Sequence, residues 1–264
     1  MYEELYAPLP DPEKYLERIG LGGQKIEISK EGLDLVLKAH LLHIPFDDLD
    51  VWANGVCPSL AVEDLYNKVI VRKRGGYCFE LNSLFKAFLL SLGFDAYTVI
   101  CHLTHDPSYI AVPAHCCVIV RIGDKKYFTD VGYGGRVPYE AVEFDGEIHG
   151  GYRVGTEGYY TYVEEIKEDS AKRTFLFKDI PALPVELVPL NFNVSQNAGS
   201  RFRTTPLLSL RYEDGSITAA GKTLTIVHGD EKTEREIKDL ADLKKLAGEC
   251  FNLEVNNAPF RELD

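Results

Sequence analysis

The chain has 264 residues, of which 45% are hydrophobic and 27% charged, and its formal net charge at pH 7 is −12. This composition is typical of a globular protein large enough to bury a core and to form two or three units. The acidic balance argues against a nucleic-acid-binding role. No apolar run reaches the ~18–20 residues of a membrane span, and the start Met1-Tyr2-Glu3-Glu4 lacks the features of a signal peptide. We therefore expect a cytoplasmic protein with no membrane partner, whose six cysteines are reduced.

The first 92 residues have the hydrophobic period of helices. Ser29 is a candidate N-cap for a helix with apolar residues at Leu33, Val36 and Leu37. A second apolar stripe follows Cys78 and ends at Gly93; it comprises Leu81, Leu84, Phe85, Phe88, Leu89 and Leu92. Cys78, which follows the Gly75-Gly76 turn, is therefore predicted at or near a helix N-terminus. Unpaired amide groups and the helix dipole favour an anion there, and a thiol in that position ionises more readily to the nucleophilic thiolate.

From Phe94 onward the pattern changes to strands, and one hairpin brings a histidine towards an aspartate. The apolar run from His115 to Ile122 is followed by Gly123-Asp124 and then by a second strand that ends at Val131. A two-residue loop pairs Ile122 with Lys125, which puts His115 and Asp130 on one face, diagonal by two residues and roughly 7–8 Å apart. A three-residue loop would place them on opposite faces.

Hydrophobic periodicity and turn-forming residues predict the remaining strands and helix. Strands are predicted at residues 96–103, 127–131, 159–165, 174–177, 207–212, 216–219 and 223–227. A final helix is predicted at 238–247, ending at Gly248, and Pro181, Pro184 and Pro189 predict a connection before this last unit.

Cys78, His115 and Asp130 are the residue types of an activated-nucleophile triad. In such a triad the carboxylate fixes the imidazole tautomer, the imidazole takes the thiol proton, and the thiolate–imidazolium pair is ready for acyl transfer. The alternative is that His115 is a core histidine and Asp130 a turn residue, because structural hydrogen bonds also perturb such groups. The residues by themselves leave both interpretations open.

The segment around Cys78 resembles the active-site signature of the arylamine N-acetyltransferases. It reads Arg74-Gly75-Gly76-Tyr77-Cys78-Phe79-Glu80-Leu81-Asn82. Upstream, His40 with Pro45-Phe46-Asp47-Asp48-Leu49 is similar to another element of that family. Asp130-Val131-Gly132-Tyr133-Gly134, fifteen residues after His115, matches its Asp-x-Gly-aromatic-Gly element, and the segment from Asn191-Phe192 through Ser195 and Ser200 to Phe202 resembles a later one. The chain departs from the family at Ala114, where bacterial members often have Thr, and at Gln196-Asn197-Ala198, which replaces Thr-x-Pro.

This resemblance implies an α+β fold with a cysteine-protease-like catalytic core. It implies an N-terminal helical domain (1–92) carrying Cys78, a central β-barrel (93–190) carrying His115 and Asp130, and a C-terminal α/β lid (191–264). The implied reaction is a ping-pong transfer in which acetyl-CoA acetylates Cys78 as a thioester and an arylamine or arylhydrazine then takes the acetyl group. The resemblance also places Phe46, Tyr133 and Phe202 at the aromatic acceptor, Gly132 and Gly134 at the coenzyme, and no metal at the site.

Several other interpretations remain open at this point. A thiol hydrolase or transglutaminase-like enzyme would have the same Cys-His-Asp order, and a binding or scaffold protein could hold the three residues for structural reasons. His102 and His105 beside Cys101 are a weak metal candidate, because the paired Cys-x₂₋₄-Cys spacing of structural zinc sites is absent. His40 fits a cleft or a packing cluster at a helix end equally well. Arg201 and Arg203 fit an anion site or ordinary solvated charges.

Overall fold

The computed structural model describes residues 2–104 and 112–253. This part of the chain forms a helical N-terminal region and two antiparallel sheets. The helices are α1 (Pro12–Arg18), α2 (Lys30–His43), α3 (Leu49–Asn54), α4 (Val62–Tyr66), α5 (Cys78–Ser91), α6 (Pro184–Gln196), α7 (Arg201–Thr204) and α8 (Leu240–Phe251), with a 3₁₀ turn at Glu3–Tyr6 and a π-helical segment at Asn67–Val71. The strands are β1 (Phe46–Asp47), β2 (Asp95–Leu103), β3 (His115–Ile122), β4 (Lys125–Thr129), β5 (Val142–Glu143), β6 (Tyr152–Glu157), β7 (Tyr160–Lys167), β8 (Ser170–Phe177), β9 (Leu207–Tyr212), β10 (Gly215–Ala220), β11 (Thr223–His228) and β12 (Glu231–Glu236).

Helices α2 and α5 form the centre of the N-terminal region, as the apolar stripes predict. The Ser29 hydroxyl accepts a hydrogen bond from the Gly32 amide at 3.1 Å, which caps α2. Apolar residues of both helices lie in one core with the barrel strands, including Leu33, Phe85 and Phe88, which are fully buried. Each such side chain contributes about 1.5–3 kcal/mol through burial. This packing holds α5, and with it Cys78, against the sheet.

The larger sheet has seven strands in the order β5-β4-β3-β2-β8-β7-β6. Its two edge strands, β5 and β6, contact each other, so the sheet curls into a nearly closed barrel. Between β3 and β4 Ile122 pairs with Lys125 and Val118 pairs with Thr129. This is the register of the two-residue loop, and the predicted hairpin is confirmed.

The smaller sheet has the order β1-β9-β10-β11-β12 and packs against α8. Leu208 and Ile217 from the strands meet Leu243 and Phe251 from the helix in a separate core. Its first strand, β1, comes from the N-terminal region, where Phe46 pairs with Ser209. The smaller sheet therefore joins the helical region to the C-terminal part of the chain.

The structure differs from the sequence predictions in the proline-rich segment and at the end of the chain. Residues 184–196 form helix α6 rather than a connection, because Pro184 occupies the first turn, where its missing amide costs nothing, and Leu187 and Val194 are buried. Helix α8 continues through Gly248 to Phe251, which is fully buried. Strands β1, β5, β6 and β12 were not predicted. All residues of β12 are exposed, so it carries no alternation of apolar and polar residues.

The three units predicted at 1–92, 93–190 and 191–264 remain a prediction, and α6 crosses the boundary at residue 190. Among the described residues, no helix combines the length and the apolar character needed to cross a bilayer.

Candidate active site

Cys78 is the first residue of helix α5 and is almost completely buried. The two glycines before it allow a close approach of the chain to residues 45–47. A Cβ on Gly75 would lie 2.2 Å from the Pro45 carbonyl oxygen, and Gly76 forms a parallel bridge with Phe46. Any side chain at position 75 would therefore push the turn away from β1. The paired glycines fix the point at which α5 begins, as their place in the motif indicates.

Buried ion pairs also hold the turn that precedes Cys78 in place. Arg74 donates to Asp47 through Nε at 2.8 Å, and Lys68 Nζ lies 2.7 Å from Glu80 Oε1. The second oxygen of Glu80 accepts the Tyr77 amide at 3.1 Å, so Glu80 caps its own helix. Burial raises the pKa of Glu80, while the Lys68 ammonium acts in the opposite direction. Removing one partner would leave a buried charge without compensation, which costs several kcal/mol.

His115 begins strand β3, and Asp130 follows strand β4 on the same face of the hairpin. The distance from His115 Nε2 to Asp130 Oδ2 is 2.5 Å, and both side chains are buried. The imidazole stacks on Phe175 and meets the edge of Tyr133, with ring centroids at 5.4 and 5.9 Å. These contacts fix the ring, and because Nε2 faces the carboxylate, Nδ1 is the ring nitrogen left for a thiol proton.

The charges around His115 favour the imidazolium form of its side chain. Burial alone would lower the pKa of His115, but the charge and hydrogen bond of Asp130, followed by a hydrogen bond with Cys78, raise it well above its usual range. The Cys78 sulfur also lies 3.8 Å from the Ala114 carbonyl oxygen. The structure thus brings together the three residues that the sequence selected, in the arrangement of an acyl-transfer triad.

Asn82, one turn after Cys78, was not singled out from the sequence, although it connects the triad elements. Its side-chain amide donates to Asp130 Oδ1 at 3.1 Å and to the Cys116 carbonyl at 2.7 Å, and its oxygen accepts the Val131 amide at 3.1 Å. Asn82 is fully buried. It therefore fixes helix α5 relative to both ends of the hairpin. The signal in the sequence is a polar residue within the apolar stripe, between Leu81 and Leu84.

Gly132 and Gly134 occupy different environments. The Gly132 amide donates to Asp130 Oδ1 at 2.7 Å, and a Cβ there would lie 2.7 Å from the Cys78 Cα. Gly132 therefore lets the loop pack directly against the start of α5. Gly134 has φ +75 and lies against the ring of Phe46, at the wall of a cavity. The contact of either glycine with a coenzyme stays a prediction.

A cavity of about 800 Å³ opens beside the triad. Ala114, the neighbour of His115, lies in its wall together with Tyr133 and Phe202. Phe46 lies behind this wall, where its ring centroid is 6.0 Å from that of Phe202. The cavity thus has aromatic groups close to the triad, and contact of these three rings with an acceptor remains a prediction.

The same cavity has a basic side. Arg136, Arg201 and Arg211 line it, together with polar residues of α6 and α7. Arg211 donates to the Val137 carbonyl at 3.2 Å, and Arg136 lies 3.7 Å from Glu165. The Arg201 guanidinium forms no hydrogen bond or ion pair among the described residues, but its charge acts on the buried Asp48 carboxyl, whose pKa burial raises and Arg201 lowers. A cavity lined by three guanidinium groups is suited to an anionic ligand.

The later segment from Asn191 to Phe202 also reaches the site. The Tyr77 hydroxyl donates to the Asn191 side-chain oxygen, and the Asn191 amide donates to the Pro58 carbonyl at 2.8 Å. The ring of Phe202 meets that of Tyr77 edge to face at 5.8 Å. Helices α6 and α7 are therefore attached to the residue that precedes Cys78.

Two weaker candidates have different outcomes. His40 is completely buried in α2 and bonded through Nδ1 to the Tyr15 hydroxyl at 2.6 Å, so it belongs to the packing cluster and not to the cleft. His105 of the proposed His102–His105 metal pair lies outside the described residues. Within the described ranges, one group of ligand atoms lies within 4.8 Å of one another, those of His115, Cys117 and Asp130. The expectation of no metal stays a prediction.

Comparisons with known proteins agree with this geometry. The N-acetyltransferase family model matches residues 31–260. The arylamine N-acetyltransferase / N-hydroxyarylamine O-acetyltransferase of Salmonella typhimurium is 29% identical over 237 residues, covering 86% of this chain and 83% of that protein. The Mycolicibacterium smegmatis arylamine N-acetyltransferase is 28% identical over 231 residues and covers 83% of each chain.

The solved structures show the same fold. The arylamine N-acetyltransferase from Salmonella typhimurium superposes with a TM-score of 0.85 at 25% identity, over 96% of this chain and 95% of that one. The Mycobacterium marinum arylamine N-acetyltransferase in complex with CoA has a TM-score of 0.85 at 23% identity, over 92% and 93% of the two chains. The resemblance found in the motifs and the α+β fold it implied are confirmed. The chain belongs to the N-acetyltransferase family and is an acyltransferase of the arylamine N-acetyltransferase type.

Proposed function

We propose that this protein transfers an acetyl group from acetyl-CoA to an arylamine or arylhydrazine through a thioester on Cys78. The observation that carries the proposal is the position of Cys78 at the start of α5, hydrogen-bonded to an imidazole that Asp130 holds and charges. A cytoplasmic location and a role in xenobiotic metabolism belong to the same proposal.

In the first half-reaction the Cys78 thiolate attacks the thioester carbonyl of acetyl-CoA. The carbon–sulfur bond to CoA breaks, and the leaving CoA thiolate takes the proton held on His115 Nδ1. Amide groups at the start of α5 are suited to stabilise the charge on the carbonyl oxygen, since they have no partner within the helix. The product is free CoA and an acetyl group bonded to Cys78 Sγ.

In the second half-reaction the amine nitrogen attacks the carbonyl of the acetyl-enzyme. Neutral His115 takes the amine proton through Nδ1, the carbon–sulfur bond breaks, and the thiolate–imidazolium pair is restored. Asp130 keeps its hydrogen bond to Nε2 in both steps and stabilises the imidazolium each time it forms.

The cavity beside the triad has the size and the lining groups needed to bind both substrates. Its volume of about 800 Å³ lies within the range of ~300–1,000 Å³ usual for ligand pockets. Arg201 and its neighbours are placed to attract the phosphates of CoA, and the relative from Mycobacterium marinum has been determined with CoA. Tyr133 and Phe202 offer ring faces and edges to a flat aromatic amine.

The decisive experiment is intact-mass measurement after incubation with acetyl-CoA alone. We expect one acetyl group on Cys78, stable until an arylamine is added and then lost as the acetylated amine appears. Cys78→Ala should carry no acetyl group. Cys116→Ala is the matched control, because Cys116 is also a buried thiol and its sulfur lies 3.6 Å from the Cys78 carbonyl oxygen.

Three outcomes would contradict the proposal. An acetyl group found on Cys116 or Cys117 would mean that the nucleophile is misassigned. Release of acetate at the same rate with and without amine would indicate a thiol hydrolase. A folded protein that takes up no acetyl group at all would indicate a non-catalytic binding protein.

A further inference from the structure

A second cavity lies against α5, away from the triad. Its volume is about 320 Å³, and its wall includes the 3₁₀ turn and the residues after it, the segment before α4, and Pro184. From α5 it receives Ser83, Lys86, Ala87, Leu90 and Ser91. Their spacing of three and four residues defines one face of the helix, which is not the face of Cys78 and Asn82. Leu90 is half exposed, so the cavity opens to solvent at that end.

The walls of this cavity are mostly apolar, apart from Tyr6 of the 3₁₀ turn and the polar groups on the α5 side. Leu5, Leu9 and Leu60 line it, and all three are buried in the hydrophobic core clusters. The polar groups on the α5 side are Ser83, Lys86 and Ser91, and the Ser91 hydroxyl already donates to the Phe88 carbonyl at 2.6 Å. A pocket with apolar walls and a few polar groups at one side is the usual form of a small-molecule site.

Lys86 has no compensating charge. It is half buried, and within the described part of the chain its ammonium group forms no hydrogen bond and no ion pair. Burial lowers the pKa of its ammonium, and the Cys116 thiol opposes this weakly. Lys68, by contrast, is buried between Asp50 and Glu80 at 2.8 and 2.7 Å, and its pKa is raised because their charges outweigh its burial. A desolvated ammonium without a partner costs stability, and a bound anion would recover that cost.

We propose that this cavity binds a small aliphatic monocarboxylate. The Lys86 ammonium and the Ser83 hydroxyl receive the carboxylate, and the leucines enclose the alkyl chain. At about 30 Å³ per heavy-atom-sized group, 320 Å³ accommodates about ten such groups, which is the size of octanoate.

The test is isothermal titration and thermal unfolding of the full chain with octanoate, compared with octanol and octylamine. We expect octanoate to bind one site and to raise the Tm, and the alcohol and the amine to bind at least tenfold more weakly. Lys86→Met keeps the length of the side chain and removes its charge, so octanoate affinity should fall at least tenfold. Lys86→Arg should retain it. Lys86→Met without ligand should unfold at an equal or higher temperature, because the uncompensated charge is gone.

Arg201→Met is the matched control, because Arg201 is also a cation but lines the other cavity. Octanoate affinity should be unchanged in Arg201→Met. Loss of binding in that variant together with retention in Lys86→Met would place the carboxylate in the active-site cavity and overturn the proposal. Equal binding of octanol and octanoate, or no saturable binding of octanoate to the unsubstituted protein, would also overturn it. The triad chemistry is tested separately by the acetylation of Cys78, so failure of one proposal leaves the other measurable.

Discussion

Replacing Asn82 by leucine should slow acetylation of Cys78 far more than its effect on stability explains. Leucine is nearly isosteric with asparagine but has no polar atoms, so the three hydrogen bonds of Asn82 are lost together. These bonds join α5 to the Cys116 carbonyl, the Asp130 carboxylate and the Val131 amide. The helix that carries the nucleophile then lacks its polar connection to the residue that orients the imidazole.

The expected decrease in stability follows from the groups that lose Asn82 as a hydrogen-bond partner. The Cys116 carbonyl and the Val131 amide each lose a partner, at about 1–3 kcal/mol for a buried group. Asp130 keeps the Gly132 amide at 2.7 Å on the same oxygen, so its loss is smaller. We therefore expect a decrease of about 3–5 kcal/mol in the free energy of unfolding. For the acetylation rate constant we expect a decrease of about 10–100-fold, since an error of 1 Å in placing reacting groups can cost ~10²-fold.

The assay is acetylation of Cys78 followed by intact mass well below the melting temperature, with urea unfolding measured in parallel. Thr129→Val is the control. Its hydroxyl donates to the Val118 carbonyl at 2.9 Å inside the same hairpin and, among the described residues, forms no hydrogen bond with the triad. It should lower stability by about 1 kcal/mol and leave the rate unchanged. An Asn82→Leu protein that is folded, destabilised and acetylated at the normal rate would refute a positioning role.

Four further predictions follow. Asp130→Asn should slow acetylation by about 10³–10⁴, as in other triads, and near-normal acetylation in a folded variant would make the His–Asp pair structural. Burial lowers the pKa of His40 to about 3, below its unfolded value of about 6.5, so the free energy of unfolding is highest above pH ~6.5 and decreases as the pH falls below it. Urea unfolding should therefore give a free energy of unfolding about 2 kcal/mol lower at pH 5.0 than at pH 7.5, and His40→Asn should remove this difference. Phe202→Ala should slow transfer to the amine much more than formation of the acetyl-enzyme, as measured in kinetics resolved into the two half-reactions. Equal decreases in the two rate constants would mean that the ring serves the fold or coenzyme binding rather than the amine. Gly132→Ala should slow thiol acetylation because its Cβ has no room, whereas Gly248→Ala, with open space around it, should not; equal rates would contradict the close packing at residue 132.

Local signals in the sequence predict the position of each part of the triad. The glycine pair and the apolar stripe place Cys78 at a helix start. The length of the Gly123-Asp124 loop alone decides that His115 and Asp130 share a face, and the observed register agrees. These signals lie within a few residues of the group they position. That Cys78 meets the His115–Asp130 pair is a tertiary contact, and the family resemblance rather than these signals indicated it.

Asn82 and Lys86 could not be assigned roles in the same way. The partners of Asn82 lie 34, 48 and 49 residues away along the chain, and two of them are backbone groups that any residue supplies. Lys86 reads as an ordinary helix-surface lysine, because the sequence does not show that residues 5–9 cover that face of α5. Helix α6 was missed because three prolines indicate a loop, whereas the buried Leu187 and Val194 favour a helix.

The pairing of β1 with β9 has a consequence for how the protein folds. Phe46 and Asp47 lie beside the Gly75-Gly76 turn, yet their partners Ser209 and Leu208 are synthesised long after the triad residues. A contact of such long sequence separation forms slowly, since a large loop must close before the pairing is gained. During synthesis the helical region and the barrel can pack first, while the strand beneath the Cys78 turn stays unpaired. We expect the reactive thiol to reach its final environment as one of the last events of folding.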